Sequence, residues 1–361
     1  MARRTGSATL PLHSGRAPRW LFERMTRLAR AFTEALVIEY GAVEFLRRLS
    51  DPYWFQAFGC VLGFDWHSSG VTTTVCGALK AGLAGAEADT SVYVAGGKGK
   101  ASRKTPDELR SHAGLLGLDG EALVYASRMS AKVDSAAVQD GFQVYHHSFF
   151  LTPSGEWAVV QQGMRERSRS ARRYHWLGER VDDFVCEPHS AVCSDLRDQL
   201  VLNLVARESE GARSAAAEIA RADPARVENE VRKIVALEMP ERHHVDIRRD
   251  VNPRNLSKVL LSTYEAQPRD FEALLALRGV GARSIRALSL IAELAYGAPA
   301  SYRDPARFSF AHGGKDGHPY PVDRESYDRS VEWLRGAVRR ARVGRTDRLR
   351  ALRQLAAWEA R

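Results

Sequence analysis

The chain is 361 residues long, 44% hydrophobic and 27% charged, and its 53 Lys+Arg against 44 Asp+Glu give a net charge of +9. That length favours two domains, the apolar fraction argues against a disordered chain, and the basic balance favours a polyanionic partner. The 4 cysteines (Cys60, Cys76, Cys186, Cys193) are too few for a disulfide scaffold. No apolar run approaches a membrane span, and residues 1–15 lack the apolar core of a signal peptide, so a reduced, cytoplasmic protein is expected.

A polar arm leads into a helix opened by Pro18, with Leu21, Phe22, Met25, Leu28, Ala29, Phe32, Ala35 and Leu36 on one face. Asp51-Pro52 is an N-cap and N1 pair for a buried helix. Asp65, Trp66, His67, Ser68 and Ser69 stand where the next helix begins, as an anion site or as a capping turn. SVYV reads as a strand, and the loop after it offers Lys98, Lys100, Arg103 and Lys104 to phosphates or simply to solvent. No Gly-Lys-Ser/Thr closes this loop, so it is not a nucleotide-binding P-loop. Thr105-Pro106-Asp107-Glu108 matches a capping box.

Polar chemistry is densest over residues 132–176. GFQVYHHSFF and EWAVVQQGM are strand runs separated by Thr-Pro-Ser-Gly, a hairpin signal. Alternation places His146 and His147 on opposite faces, and Gln161 and Gln162 likewise. Metal-assisted phosphodiester hydrolysis needs acidic ligands for a divalent ion such as Mg or Mn. Asp134, Asp140 and His147 are the candidate ligands. Lys132, Asp134, Asp140, His146 and His147 are the catalytic candidates, and Arg173 is placed on the phosphate. The nuclease pattern of an Asp followed by Glu-x-Lys is missing, because the second strand reads VVQQGM, and a polar hydrogen-bond network is the alternative. Cys186, His189 and Cys193 are zinc-ligand types without a fourth partner.

Ser194 is expected to cap a helix, SDLRDQLVLNLVARES, and helical patterns continue towards residue 297. The composition shift near residue 190 divides the chain into a mixed α/β domain with a β-hairpin (1–190) and a mainly helical domain (191–361) with an Arg-rich tail, an α+β fold. His243 and His244 lie in a charged connector. The glycine-rich loop AHGGKDGHPYPVD, with His312, Lys315, Asp316 and His318, is long enough to be functional.

Residues 271–297, FEALLALRGVGARSIRALSLIAELAYG, are two amphipathic helical patterns around Gly279-Val280-Gly281. Asp270 caps the first and Gly297 ends the second. Glycines at the turn let backbone amides approach a phosphate. Arg278, Gly279, Val280, Gly281, Arg283 and Ser284 are therefore the candidate DNA contacts, flanked by Arg286. The stretch resembles a helix-hairpin-helix DNA-binding motif, which implies sequence-independent contact with the DNA backbone and is compatible with a monovalent cation at the hairpin. Pro321-Val322-Asp323 is similar to the catalytic triplet of helix-hairpin-helix glycosylases, although across a longer loop than that family uses. The lysine of its bifunctional members has no counterpart in ARSIRAL.

A wider resemblance rests on RTGSATLPLHSGRAPRWLFERM, FDWHSSGVTTTV, GGKGKASRKTP, VQDGFQVYHH, EWAVVQQGM, ARRYHW and AHGGKDGHPYPVD. These strings resemble an archaeal and bacterial family catalogued as a domain of unknown function, family 763, and they imply membership without an activity. The leading expectation is a DNA-binding protein of repair or genome maintenance with metal-assisted phosphodiester hydrolysis. The alternatives are a base-excision enzyme using Asp323, with Trp66, Trp157 or Trp176 stacking an extruded base, and a non-catalytic scaffold for DNA and a repair-protein partner. No membrane role is expected.

Overall fold

A computed structural model describes residues 17–64, 70–165, 168, 170–194, 200–235, 253–307 and 324–359. At its centre β1 (Tyr93–Lys98), β3 (Gln143–Leu151), β4 (Trp157–Arg165), β5 (Ser170–Leu177) and β6 (Ala191–Ser194) form an antiparallel sheet in the order β1-β3-β4-β5-β6. Both faces are covered, and each strand therefore sends alternate side chains into two separate cores.

On one face Val94, Phe150, Ala158, Val160 and Leu177 pack with α1 (Arg19–Tyr40), α2 (Ala42–Leu49), α3 (Pro52–Val61) and α4 (Gly70–Leu83). The α1 stripe is buried from Met25 to Leu36 as its spacing requires. Asp51 accepts from the amides of Tyr53 and Trp54 at 2.8 and 2.9 Å, and all ten residues of α3 are buried. Beyond α5 (Glu87–Thr90) and β1, a 3-10 segment (Gly99–Lys104) leads to α6 (Thr105–Leu116) and α7 (Gly120–Lys132). These two helices cover the other face over Phe149, Leu151, Val159, Tyr174 and Trp176. A π-helical turn (Val133–Ala137) joins α7 to β2 (Val138–Gln139), which pairs with β7 (Leu202–Asn203).

The second core is completed by α8 (Glu210–Arg221), α9 (Pro224–Val235), α10 (Pro253–Ala266), α11 (Phe271–Ala276) and α12 (Ala282–Tyr296). The last two helices, α13 (Arg324–Arg340) and α14 (Arg345–Glu359), return to the first core through Val331, Leu334, Val338 and Leu355. Each core thus draws on residues from both sides of position 190, and β6 completes the main sheet just past it.

The expected α+β mixture and the β-hairpin are present, with Thr152 and Glu156 closing the hairpin turn. Two local expectations are corrected. The run LVLNLV is not helical: Leu202 and Asn203 pair with Gln139 and Val138, and a short apolar run suits a buried strand as well as a helix. Glu108 does not close a capping box, because its carboxylate accepts from Lys80 Nζ and the Gly96 amide at 2.7 Å each. The Arg-rich tail is the helix α14, anchored by Ala351 and Leu355. Among the described residues no helix is long and apolar enough to cross a membrane.

Candidate functional site

Ladder partners His147, Gln161 and Tyr174 lie side by side on the face under α6 and α7. Their chemistry runs in one direction. Ser127 Oγ donates to His147 Nε2 (2.9 Å), His147 Nδ1 donates to Gln161 Oε1 (2.8 Å), and Gln161 Nε2 donates to Asp134 Oδ2 (2.5 Å). Trp176 Nε1 donates to the same oxygen at 3.0 Å, and His189 Nε2 donates to Asp134 Oδ1 at 2.5 Å. Every donor points at Asp134, which suits a carboxylate. Burial pushes that carboxyl's pKa up, while His189 and Trp176 oppose the shift. Burial also pushes His147 down to about 4, against the pull of Gln161, so its ring is neutral at pH 7.

Asp140 is buried beside this network. Its carboxylate accepts from Arg172 Nη1 (2.9 Å), the Tyr174 hydroxyl (2.7 Å) and the Phe142 amide (2.9 Å). Burial raises its pKa too, and those three donors hold the ionised form against it. Arg172 reaches on to Asp304 Oδ2 at 2.7 Å, so one fully buried guanidinium joins two carboxylates. Burial works against the Arg172 charge, but Asp140, Tyr174 and Asp304 outweigh it and raise its pKa.

Both relays end at one cavity. It has a volume of about 260 Å³ and is lined by His189, Ser190, Asn203, Arg303, Asp304 and Arg307, among others. Asp134 stands behind His189 in its wall, and Arg172 and Asp140 stand behind Asp304. With Nε2 committed to Asp134, Nδ1 is the His189 nitrogen that remains for a ligand. Ser190 Oγ is buried there without a hydrogen-bond partner among the described residues. At the rim, Arg303 and Arg307 face Glu208 and Glu187 at 3.3 and 3.7 Å in exposed pairs that contribute little on their own.

The opposite face carries the other member of each pair. His146 Nε2 bonds with Ser148 Oγ at 3.1 Å, and burial pushes its pKa down to about 3. Arg173, expected on a phosphate, is buried: it donates to His175 Nε2 (2.8 Å), Gln56 Oε1 (3.2 Å) and the Pro52 carbonyl (3.3 Å). His175 in turn donates to the Leu49 carbonyl and is held neutral by burial. Arg173 therefore fastens α3 to the sheet.

The proposed metal ligands do not converge. Asp134 and Asp140 are engaged as described, His147 bonds through both ring nitrogens, and among the described residues no three His, Cys, Asp or Glu side chains form a group able to hold a metal ion. The same holds for Cys186, His189 and Cys193, since His189 belongs to Asp134 and Cys193 is buried on β6. Lys132 is likewise committed, donating to the carbonyls of Leu275 (2.7 Å), Leu277 (2.6 Å) and Val280 (3.0 Å). Asp323, residues 65–69, His243, His244 and the AHGGKDGHPYPVD loop lie outside the described residues.

Those three carbonyls belong to the C-terminal end of α11 and the turn that leads to α12. Asp270 caps α11 by accepting from the Ala273 amide at 2.7 Å, and Gly297 ends α12 in the left-handed region at φ 64°. Gly279 has φ 89°, whereas Gly281 has φ −143°, which any residue adopts. A Cβ at either glycine would meet nothing within 4 Å. Arg278 and Arg283 are exposed on either side, while Arg286 donates to Gln139 Oε1 at 2.6 Å. Gln139 Nε2 donates to the Ala282 carbonyl at 2.7 Å, a second tie holding the turn to the segment after α7. Lys98, Lys100, Arg103 and Lys104 form a separate exposed basic turn after β1.

Sequence pattern alone overlooked Arg172, Asp304 and the Asp134–His189 bond. Arg172 was findable, since alternation through ARRYHW puts its guanidinium on the opposite face from Arg173. Nothing local marks Asp304. Residues 6–322 match the family described as "Protein of unknown function (DUF763)". No curated protein and no solved structure matches the chain.

Proposed function

The chain belongs to the DUF763 family, and we propose that it is a genome-maintenance protein that binds the DNA phosphate backbone, without reading sequence, through the turn between α11 and α12. The observation that carries this reading is Gly281. Neither its dihedrals nor its surroundings require glycine, so the missing side chain serves access to the backbone from outside. The first-turn amides of α12 have no intrahelical acceptors, and their dipole favours an anion. Arg278 and Arg283 flank the turn, and a net charge of +9 draws in a polyanion.

Fluorescence anisotropy with labelled duplex and single-stranded DNA tests it. Affinity should be indifferent to sequence and fall steeply with salt. Arg278→Ala should flatten the slope of log K against log salt by about 1. A slope near zero, or an Arg278→Ala slope equal to that of the wild type, would refute the backbone reading.

A second reading concerns chemistry, and the Asp134–His189 pair at the cavity wall favours it. A histidine oriented by a buried carboxylate is a general base, which fits hydrolysis at the cavity better than metal held by Asp134, Asp140 and His147. DNA cleavage that persists in chelator and is lost in His189→Asn would support this reading. Cleavage that requires Mg or Mn and survives His189→Asn would count against it and restore the metal-assisted route. Base excision by Asp323 predicts abasic sites instead, and a scaffold predicts binding alone.

A further inference from the structure

Lys132 ends α7, yet its ammonium sits among backbone oxygens more than 140 positions along the chain. The distances of 2.6, 2.7 and 3.0 Å to Leu277, Leu275 and Val280 use all three of its N–H donors. Those oxygens come from the C-terminal end of α11 and the turn after it, where carbonyls lack intrahelical partners and carry the negative end of the helix dipole. Three partial negative charges are thus aimed at one point, the arrangement by which backbone carbonyls replace the hydration shell of a potassium ion. The site is half-buried, and burial lowers the lysine pKa, with no carboxylate among the described residues to offset it. Its compensation comes from the carbonyls alone.

We propose that the turn between α11 and α12 is a monovalent-cation site which this chain fills with its own Lys132 ammonium. The lysine locks the turn and pins it to α7, so the hairpin needs no dissolved ion. Lys132 is then a positioning residue for the turn, and removing its side chain uncovers a potassium- or ammonium-dependent site. The DNA part of the test rests on the proposed function; the stability part does not.

The experiment compares full-length wild type, Lys132→Ala and Lys132→Met in potassium, ammonium and choline chloride at equal ionic strength. Tm is read by thermal unfolding and DNA affinity by anisotropy. Wild type should show one Tm in all three salts. Lys132→Ala should lose several degrees in choline and recover at least half of the loss in potassium or ammonium. Lys132→Met, whose methyl group fills the space without charge, should stay low throughout. Equal Tm values for Lys132→Ala in all three salts would overturn the proposal, as would a wild type stabilised by potassium over choline. Should Lys132→Ala fold in none of them, Lys132→Ser decides: its short side chain also leaves room for the ion, so potassium-dependent stability in that variant sustains the proposal and equal stability in all three salts overturns it. If wild type binds no DNA, the proposed function fails while the Tm comparison still decides the cation site.

Discussion

Acid should unfold this protein through its sheet histidines. His146 and His147 are buried neutral on opposite faces, with pKa values pushed down to about 3 and about 4, and His175 is held well below its usual value, in each case chiefly by burial. A folded pKa below the unfolded one means that the unfolded chain binds more protons, so stability is lost as pH falls from about 6.5 towards 4. For His147 at pH 5 the linkage relation gives a loss of about 2 kcal/mol relative to neutral pH, with a similar loss for His146. Losses of that size are a large part of a typical domain's 5–15 kcal/mol. The perturbation is His147→Gln, which removes the titration. Urea unfolding at pH 7, 6 and 5 should show wild type losing about 2 kcal/mol more than the variant between pH 7 and pH 5. Ring nitrogen shifts followed by NMR should show no His147 titration above pH 5. Parallel pH profiles for the two proteins, or a His147 ring titrating near 6.5, would refute the reasoning.

Asp134→Ala strands the donors of Gln161, Trp176 and His189, and at about 1–3 kcal/mol for each stranded group it should cost at least about 3 kcal/mol in urea unfolding; a loss below 1 kcal/mol would mean that the network relaxes around the gap. Arg172→Met leaves Asp140 and Asp304 buried without their shared cation and should cost about 3–5 kcal/mol at pH 7. That cost should shrink as the pH falls and Asp140, whose pKa burial raises, can protonate, and a pH-independent cost would exclude the Asp140 charge as its cause.

What the sequence made legible was local. The apolar stripe of α1, the Asp51-Pro52 start of α3, the hairpin of β3 and β4, and both caps around the 277–281 turn follow from spacing and capping chemistry, and the structure has them. Alternation also separated His146 from His147 correctly, because a strand cannot place neighbours on one face. It could not reveal that helices cover both faces, which buries the polar side chains of each face in a layer of its own. Arg173 illustrates the cost: in sequence it is a basic residue beside aromatics, and only the packing of α3 shows that its partners are Gln56 and Pro52. Lys132 and Asp304 were hidden for the same reason, since their partners lie more than 130 positions away and no periodicity encodes such a pairing.

Gly281→Val, assayed for stability and DNA affinity in one preparation, is the most direct measurement. Valine suits φ −143°, and a Cβ there meets nothing, so Tm should stay within about 2 °C of wild type. The branched side chain would stand over the first amides of α12, and DNA affinity should fall at least tenfold. A folded Gly281→Val protein that binds DNA as tightly as wild type would contradict the claim that this turn is where the backbone is held.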